Sequence, residues 1–257
     1  SAKKSAPLDS SVCETHFSQQ STHFFMKFNL ITLFPEACDA YLSASIIGRA
    51  RKEKKISIKY QNPRDFVDLP AGRQAINYRK VDERPYGGGP GMVMQALPII
   101  KAVEKALRKV TPRRDVSPYG GKTVIIWFSP SAKQFTNKDA DALIKKYTDV
   151  VLVCGRYEGI DERAKKILKT LATVKEFAVG EAVYTGGEVP ALAIVDAVTR
   201  RIHGVLGKEA SVEERRIASR AVYTRPQTIL YKGKKYRIPA VLQTGHHANI
   251  DAWRKVK

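Results

Sequence analysis

Cysteine, acidic side chains and long apolar runs are scarce in this chain, and each shortage removes a class of protein. Its three cysteines, Cys13, Cys38 and Cys154, are widely spaced and form no CxxC pair, so neither a disulfide framework nor a zinc site is expected. Cys154 lies in the apolar run VVLVCG and reads as a small buried residue. No apolar run approaches the roughly 20 residues that a spanning helix needs, so no membrane partner is expected. The chain reads as cytoplasmic. Several catalytic signatures are missing too. There is no GxxxxGK[ST], since Gly121-Lys122 lacks the upstream glycine, and the cluster Gly87 to Gly91 lacks GxGxxG spacing. HExxH and GxSxG are absent, and His246 and His247 are adjacent, so they cannot share a helical face. Hydrolase chemistry has no visible nucleophile.

What the chain has in excess is positive charge. Forty-five Lys and Arg against 25 Asp and Glu give +20 over 257 residues. From Arg200 onward fourteen basic residues face four acidic ones, so this last quarter carries about half of the net charge. Such a footprint suits a phosphate-backbone partner, because neutralising phosphates releases condensed counterions. A solvated basic surface kept for solubility is the plain alternative.

The length suits one large domain with a small appendage. Residues 1–25 are polar, rich in Ser, Thr and Gln, and read as a disordered extension before Met26. An apolar run from Phe28 to Phe34 predicts a buried strand, followed after Pro35 by one helix through about Arg51. Ile56 to Tyr60 alternates as a second strand. Asn62 to Gly91 reads as a long polar loop, of a length that is usually functional or disordered. Beyond it come a helix from about Leu97 to Val110, a strand in TVIIWFS, a helix from about Asn137 to Tyr147 and a strand in DVVLVCG. Strands alternating with helices predict an α/β fold with a mainly parallel sheet. Gly204 to Ser211 looks like a linker, and Val212 onward a small basic appendage, helical for a turn or two near its end.

Ligands of such sheets bind beyond the carboxyl ends of strands. Three backbone-rich loops qualify: Ser129-Pro130-Ser131, Cys154 to Gly159, and Val179-Gly180 through Gly187. In the third, a tight glycine turn feeds an apolar helix with Pro190 in its first turn, where exposed amides can meet a polar ligand. An ordinary strand-to-helix turn is the plain alternative. Gly155, Gly186 and Gly187 would permit close main-chain contact, Tyr157 or Tyr184 could cover an aromatic ring, and Glu158 could meet a cationic or amino group. Tyr157 as a packing residue, Glu158 as a neighbour of a helix N-cap, and Arg156 with Asp161 as a surface ion pair of small worth are the duller readings. With a basic appendage, the pattern suits a small cofactor and a nucleic-acid substrate.

Seven motifs in order, LITLFPE, PRDF, DERPYGGGPGM, LVCGRYEGIDER, YTGGEVPALAIVDAVTR, GVLGKEAS and VYTRP, closely resemble the TrmD family of bacterial tRNA (guanine-N1)-methyltransferases, of the SPOUT class. The resemblance spans about Met26 to Trp253. It implies an α/β domain over residues 26–206 with a carboxyl-terminal trefoil knot, an interdomain linker at 207–214, and a shortened basic tRNA-binding domain over 215–257. Pattern reasoning alone would argue against a knot. The family works as a homodimer, binds S-adenosylmethionine at the knot, and methylates N1 of the guanosine at tRNA position 37, in the anticodon arm. Carried onto matching positions, the cofactor pocket falls on Phe128, Ser129, Pro130, Gly155, Tyr157, Glu158, Val179, Gly180, Tyr184, Gly186, Gly187 and Pro190. The resemblance further implies that Arg200 stabilises negative charge on the guanine oxygen, and that Mg2+ assists, with Glu158 matching the carboxylate suspected of touching it.

One departure bears on catalysis. Where the family carries an Asp proposed as general base, ungapped alignment places Arg215, and an arginine cannot accept a proton at neutral pH. Glu214 or Glu213 serves as base after a local shift, or a water or magnesium-bound hydroxide takes the proton, or the chain is an idle tRNA-binding homologue.

Overall fold

The computed structural model describes residues 25–67, 79–108, 122–206 and 221–255. The expectations for residues 1–24, for the 207–214 linker and for Glu213, Glu214 and Arg215 lie outside the described residues.

Five strands form a wholly parallel sheet: β1 (Met26–Ile31), β2 (Ile56–Gln61), β5 (Thr123–Phe128), β6 (Asp149–Val153) and β7 (Thr173–Phe177), in the order β2-β1-β6-β5-β7. The short strands β3 (Asp82–Glu83) and β4 (Val93–Met94) pair antiparallel beside it in sequence. Because side chains alternate along a strand, each strand feeds both faces. Phe28, Leu30, Val124, Ile126, Val150 and Leu152 point to one core, with Cys38, Ile47, Leu143, Ile194 and Val198 from helices α1 (Pro35–Leu42), α2 (Ser45–Lys52), α4 (Asn137–Lys146) and α6 (Glu188–Thr199). Ile31, Ile125, Trp127, Val151 and Val153 point to the other, against α3 (Ala96–Arg108) and α5 (Glu162–Leu171). The α/β class with a parallel sheet, read from the sequence, is what the structure has.

Differences from the sequence reading have local causes. The first strand stops at Ile31 rather than Phe34, because the Thr32 hydroxyl accepts the Phe34 amide at 3.0 Å and turns the chain. The single helix expected through Arg51 is two. Ser43 caps the first, and its carbonyl lies where a Cβ on Gly48 would sit 2.0 Å away, so only glycine lets the two helices fold together there. Thr136 and Asp139 close a capping box that starts α4, and the Asp161 side chain accepts the Arg163 amide to start α5, an element with no counterpart in the sequence reading. The long loop contains a 3-10 helix, Pro63–Phe66, capped by Asn62.

The basic appendage expected to be helical is only partly so. Strands β8 (Thr228–Tyr231) and β9 (Lys234–Arg237) form an antiparallel hairpin, and α7 (His247–Lys255) follows. Lys232 and Gly233 join the strands with φ of 47° and 72°, the left-handed pair that a two-residue hairpin turn demands. Lys-Gly is a weak form of that signal, which hides the hairpin in the sequence. No helix of the described residues is long and apolar enough to cross a membrane.

Leu152 is fully buried on the central strand β6. Leu152→Ala is expected to lower the unfolding free energy by about 2–5 kcal/mol, read from urea denaturation.

Candidate functional site

The loops after β5, β6 and β7 leave the carboxyl ends of three neighbouring strands and meet the start of α6. Between them lies a cavity of about 270 Å³, lined by Phe128, Ser129 and Pro130, by Gly155, Tyr157 and Glu158, and by Val179, Tyr184, Gly186, Gly187 and Pro190. Those residues are drawn from all three loops singled out in the sequence. Gly180, the remaining expected member, does not line it; its carbonyl accepts the Gln134 side-chain amide at 3.1 Å, and its φ of +73° turns the loop. Tyr157 holds a left-handed φ of 59°, a conformation that non-glycine residues adopt at a cost and that concentrates at functional sites. Its ring is about half exposed at the cavity edge, and so is available to a ligand rather than committed to packing.

Gly187 also serves the protein's own packing. A Cβ on it would stand 2.7 Å from the Cys154 Cα and 3.0 Å from the Gly155 amide nitrogen, so this glycine lets two protein segments touch. The Gly187 amide donates to the Gly155 carbonyl at 2.8 Å across that contact, and Arg156 bridges Gly186 beside it.

Beneath the contact is a polar group that the sequence reading missed. Glu188, 5 % exposed in the first turn of α6, accepts the Thr32 hydroxyl at 2.8 Å and faces Arg156 Nε at 2.9 Å. The Arg156 guanidinium stacks over Phe34, 4.5 Å from its centroid. The duller reading of Arg156 with Asp161 as a surface pair does not hold: Arg156 is tied inward to Glu188, while Asp161 pairs with Arg163 and caps α5. Arg163 beside it holds the Asp161 carboxyl below its ordinary range. The signal for the buried pair was a carboxylate in the first turn of a mostly apolar helix, where the helix dipole favours negative charge. Burial, reinforced by Glu188, pushes the Cys38 thiol up to about 11, and burial likewise raises Cys154. Both stay protonated at neutral pH and are no nucleophiles.

Glu158 also borders a second, larger cavity of about 910 Å³, edged by Arg84, Tyr86, Leu97 and Arg163. Segment 92–94 zips onto this loop: the Glu158 amide donates to the Met92 carbonyl at 3.0 Å and the Met94 amide to Gly159 at 2.9 Å. Arg200 lies elsewhere. It caps the far end of α6, a helix of 12 residues and so about 18 Å long, and does not line the smaller cavity.

The sequence profile of the family described as tRNA (Guanine-1)-methyltransferase TrmD matches residues 26–257. This chain belongs to that family. Among curated relatives, it is 36% identical over 233 residues to a tRNA (guanine-N(1)-)-methyltransferase of Shewanella sediminis, covering 89% of this chain and 86% of the relative. The enzyme of the same name from Campylobacter jejuni is 37% identical over 229 residues, 88% of each chain. That of Cupriavidus metallidurans is 39% identical over 234 residues, 90% of this chain and 82% of the relative.

A methyltransferase family implies S-adenosylmethionine as methyl donor. The smaller cavity, at about 270 Å³, lies just below the roughly 300–1,000 Å³ of small-ligand sites, and Tyr157 and Tyr184 are among its lining residues. Magnesium fares differently. Among the described residues no group of three or more His, Cys, Asp or Glu is placed to hold a metal ion.

Gly187→Val is expected to pry α6 from Cys154 and to destabilise the protein by about 1–3 kcal/mol, measurable by urea denaturation. Calorimetry with S-adenosylmethionine should then show no binding.

Proposed function

We propose that this TrmD family member transfers a methyl group from S-adenosylmethionine to N1 of the guanosine at tRNA position 37, as a homodimer in the cytoplasm. The observation that carries this is the convergence of three main-chain loops on one cavity in a chain that matches the family from residue 26 to residue 257. In this reading residues 26–206 form the donor domain, with a trefoil knot threading the loops around that cavity. Residues 207–214 link it to a basic domain, 215–257, that grips the anticodon arm. The fourteen basic residues from Arg200 onward favour such a partner, since phosphate contacts dominate affinity for nucleic acids.

When bound, S-adenosylmethionine supplies an electrophilic methyl on a sulfonium. The chain does the remainder. Main chain at Gly155, Gly186 and Gly187, the walls Phe128, Ser129, Pro130, Val179 and Pro190, and the rings of Tyr157 and Tyr184 hold the donor, with Gly180 shaping the loop. The larger cavity beside Glu158 is our choice for the guanine, because it is roomy and carries Arg84 and Arg163 at its rim. Guanine N1 is a feeble nucleophile while protonated, so a base must remove its proton. Glu214 is assigned that role in place of the family's Asp. Arg200 stabilises the charge that develops on the guanine oxygen. The length of α6 separates Arg200 from the donor cavity of its own chain, which favours a second copy bringing the two together. No step is assigned to Mg2+.

The direct test is methyl transfer to tRNA carrying G or A at position 37. Only the G form should be labelled, and equal labelling of both would sink the reading. Arg200→Ala should lower kcat by about 100-fold with S-adenosylmethionine affinity held within about twofold. Glu214→Gln should cost about 100-fold or more in kcat. If it and Glu213→Gln are both silent, the substitute base is wrong.

A further inference from the structure

The buried ion pair beneath the donor cavity has no part in the mechanism above, yet it sits in the wall of that cavity. Arg156 is one of the lining residues, its side chain 25% exposed, whereas the Glu188 side chain is 6% exposed. Arg156 Nε and Glu188 Oε2 face each other at 2.9 Å without hydrogen-bond alignment, so what joins them is charge. The surroundings are arranged for that contact. Thr32 donates to the other Glu188 oxygen, and Phe34 supports the guanidinium from one side. A Cβ on Gly186 would stand 2.5 Å from Arg156 Nε and 2.6 Å from Glu188 Oε2, so even a methyl group would separate the pair.

A fixed cation in the wall of a small, partly enclosed site repels a cationic ligand, and low dielectric strengthens the repulsion. S-adenosylmethionine is such a ligand at its sulfonium; its demethylated product, S-adenosylhomocysteine, carries a neutral thioether instead. We propose that Glu188 is a specificity-determining residue that acts through Arg156: by cancelling the guanidinium charge, it allows the cavity to accept a sulfonium. The Arg156 side chain anchors its loop by stacking over Phe34, while the backbone of the same residue meets the Met94 sulfur at 3.2 Å and bridges Gly186. Glu188 removes the electrostatic penalty of placing it there. The inference rests on the reading of this cavity as the donor site.

The experiment is a pair of calorimetric titrations, S-adenosylmethionine and S-adenosylhomocysteine, on the full-length dimer. Glu188→Gln keeps the shape and an acceptor for Thr32 but removes the charge. It should weaken S-adenosylmethionine on the order of tenfold while S-adenosylhomocysteine changes by less than about threefold. Glu188→Asp should keep the wild-type ratio of the two affinities, and Glu188→Gln combined with Arg156→Met should restore it. Equal weakening of both ligands, or none, in Glu188→Gln would overturn the proposal, because a purely structural joint does not distinguish sulfonium from thioether. A Glu188→Gln chain that neither ligand rescues to a folded state would overturn it as well, and so would a Glu188→Asp ratio that falls with the charge still present. Wild-type protein that binds neither ligand would instead overturn the donor-site reading itself.

Discussion

Two backbones touch where the loop after β6 meets the first turn of α6, beside the smaller cavity. The approach is too close for any side chain at Gly187, and the amide-to-carbonyl bond from Gly187 to Gly155 fixes its distance. Everything nearby follows from that contact. Tyr157 is turned into a left-handed conformation within the short loop, Glu188 is carried under the sheet end beside Thr32, and Arg156 is drawn inward to meet it. A buried carboxylate would be costly alone; here it has a hydroxyl, a guanidinium and the positive end of a helix.

Much of this was legible in the residues. The alternation of Phe28, Leu30, Val150 and Leu152 with Ile31, Val151 and Val153 marks strands buried on both faces, and the glycine-bearing loops read from the sequence line one cavity. What stayed hidden was of two kinds. Local breaks depend on contacts that no periodicity carries: the division of α1 from α2 comes from Gly48 meeting the Ser43 carbonyl, and the β8–β9 hairpin turns on Lys232 accepting a left-handed φ. Ion pairing was hidden because it is decided in space. Arg156 has Asp161 five residues away and Glu188 far along the chain, yet the turn of the β6 loop aims it at the latter.

The site also shows how a family resemblance and a structure inform each other. Motif matching picks out residues, and almost all of those chosen for the donor line one cavity. Matching says nothing of how Arg200 relates to them, whereas the length of α6 sets it well apart. The same matching names Glu158 for a metal, and among the described residues no group of three or more His, Cys, Asp or Glu is placed to hold one.

The strand order β2-β1-β6-β5-β7 carries a consequence for how the protein is made. Lys27 lies in register with Asp149, so the first strand borders a neighbour synthesised more than a hundred residues later. While the polypeptide is still emerging from the ribosome, β1 and β2 can pair, but the flank destined for β6 presents open amides and carbonyls in an apolar surround. Topologies of such long sequence separation fold slowly. The β1 edge therefore stays unpaired on that side throughout the interval before Val153 leaves the exit tunnel.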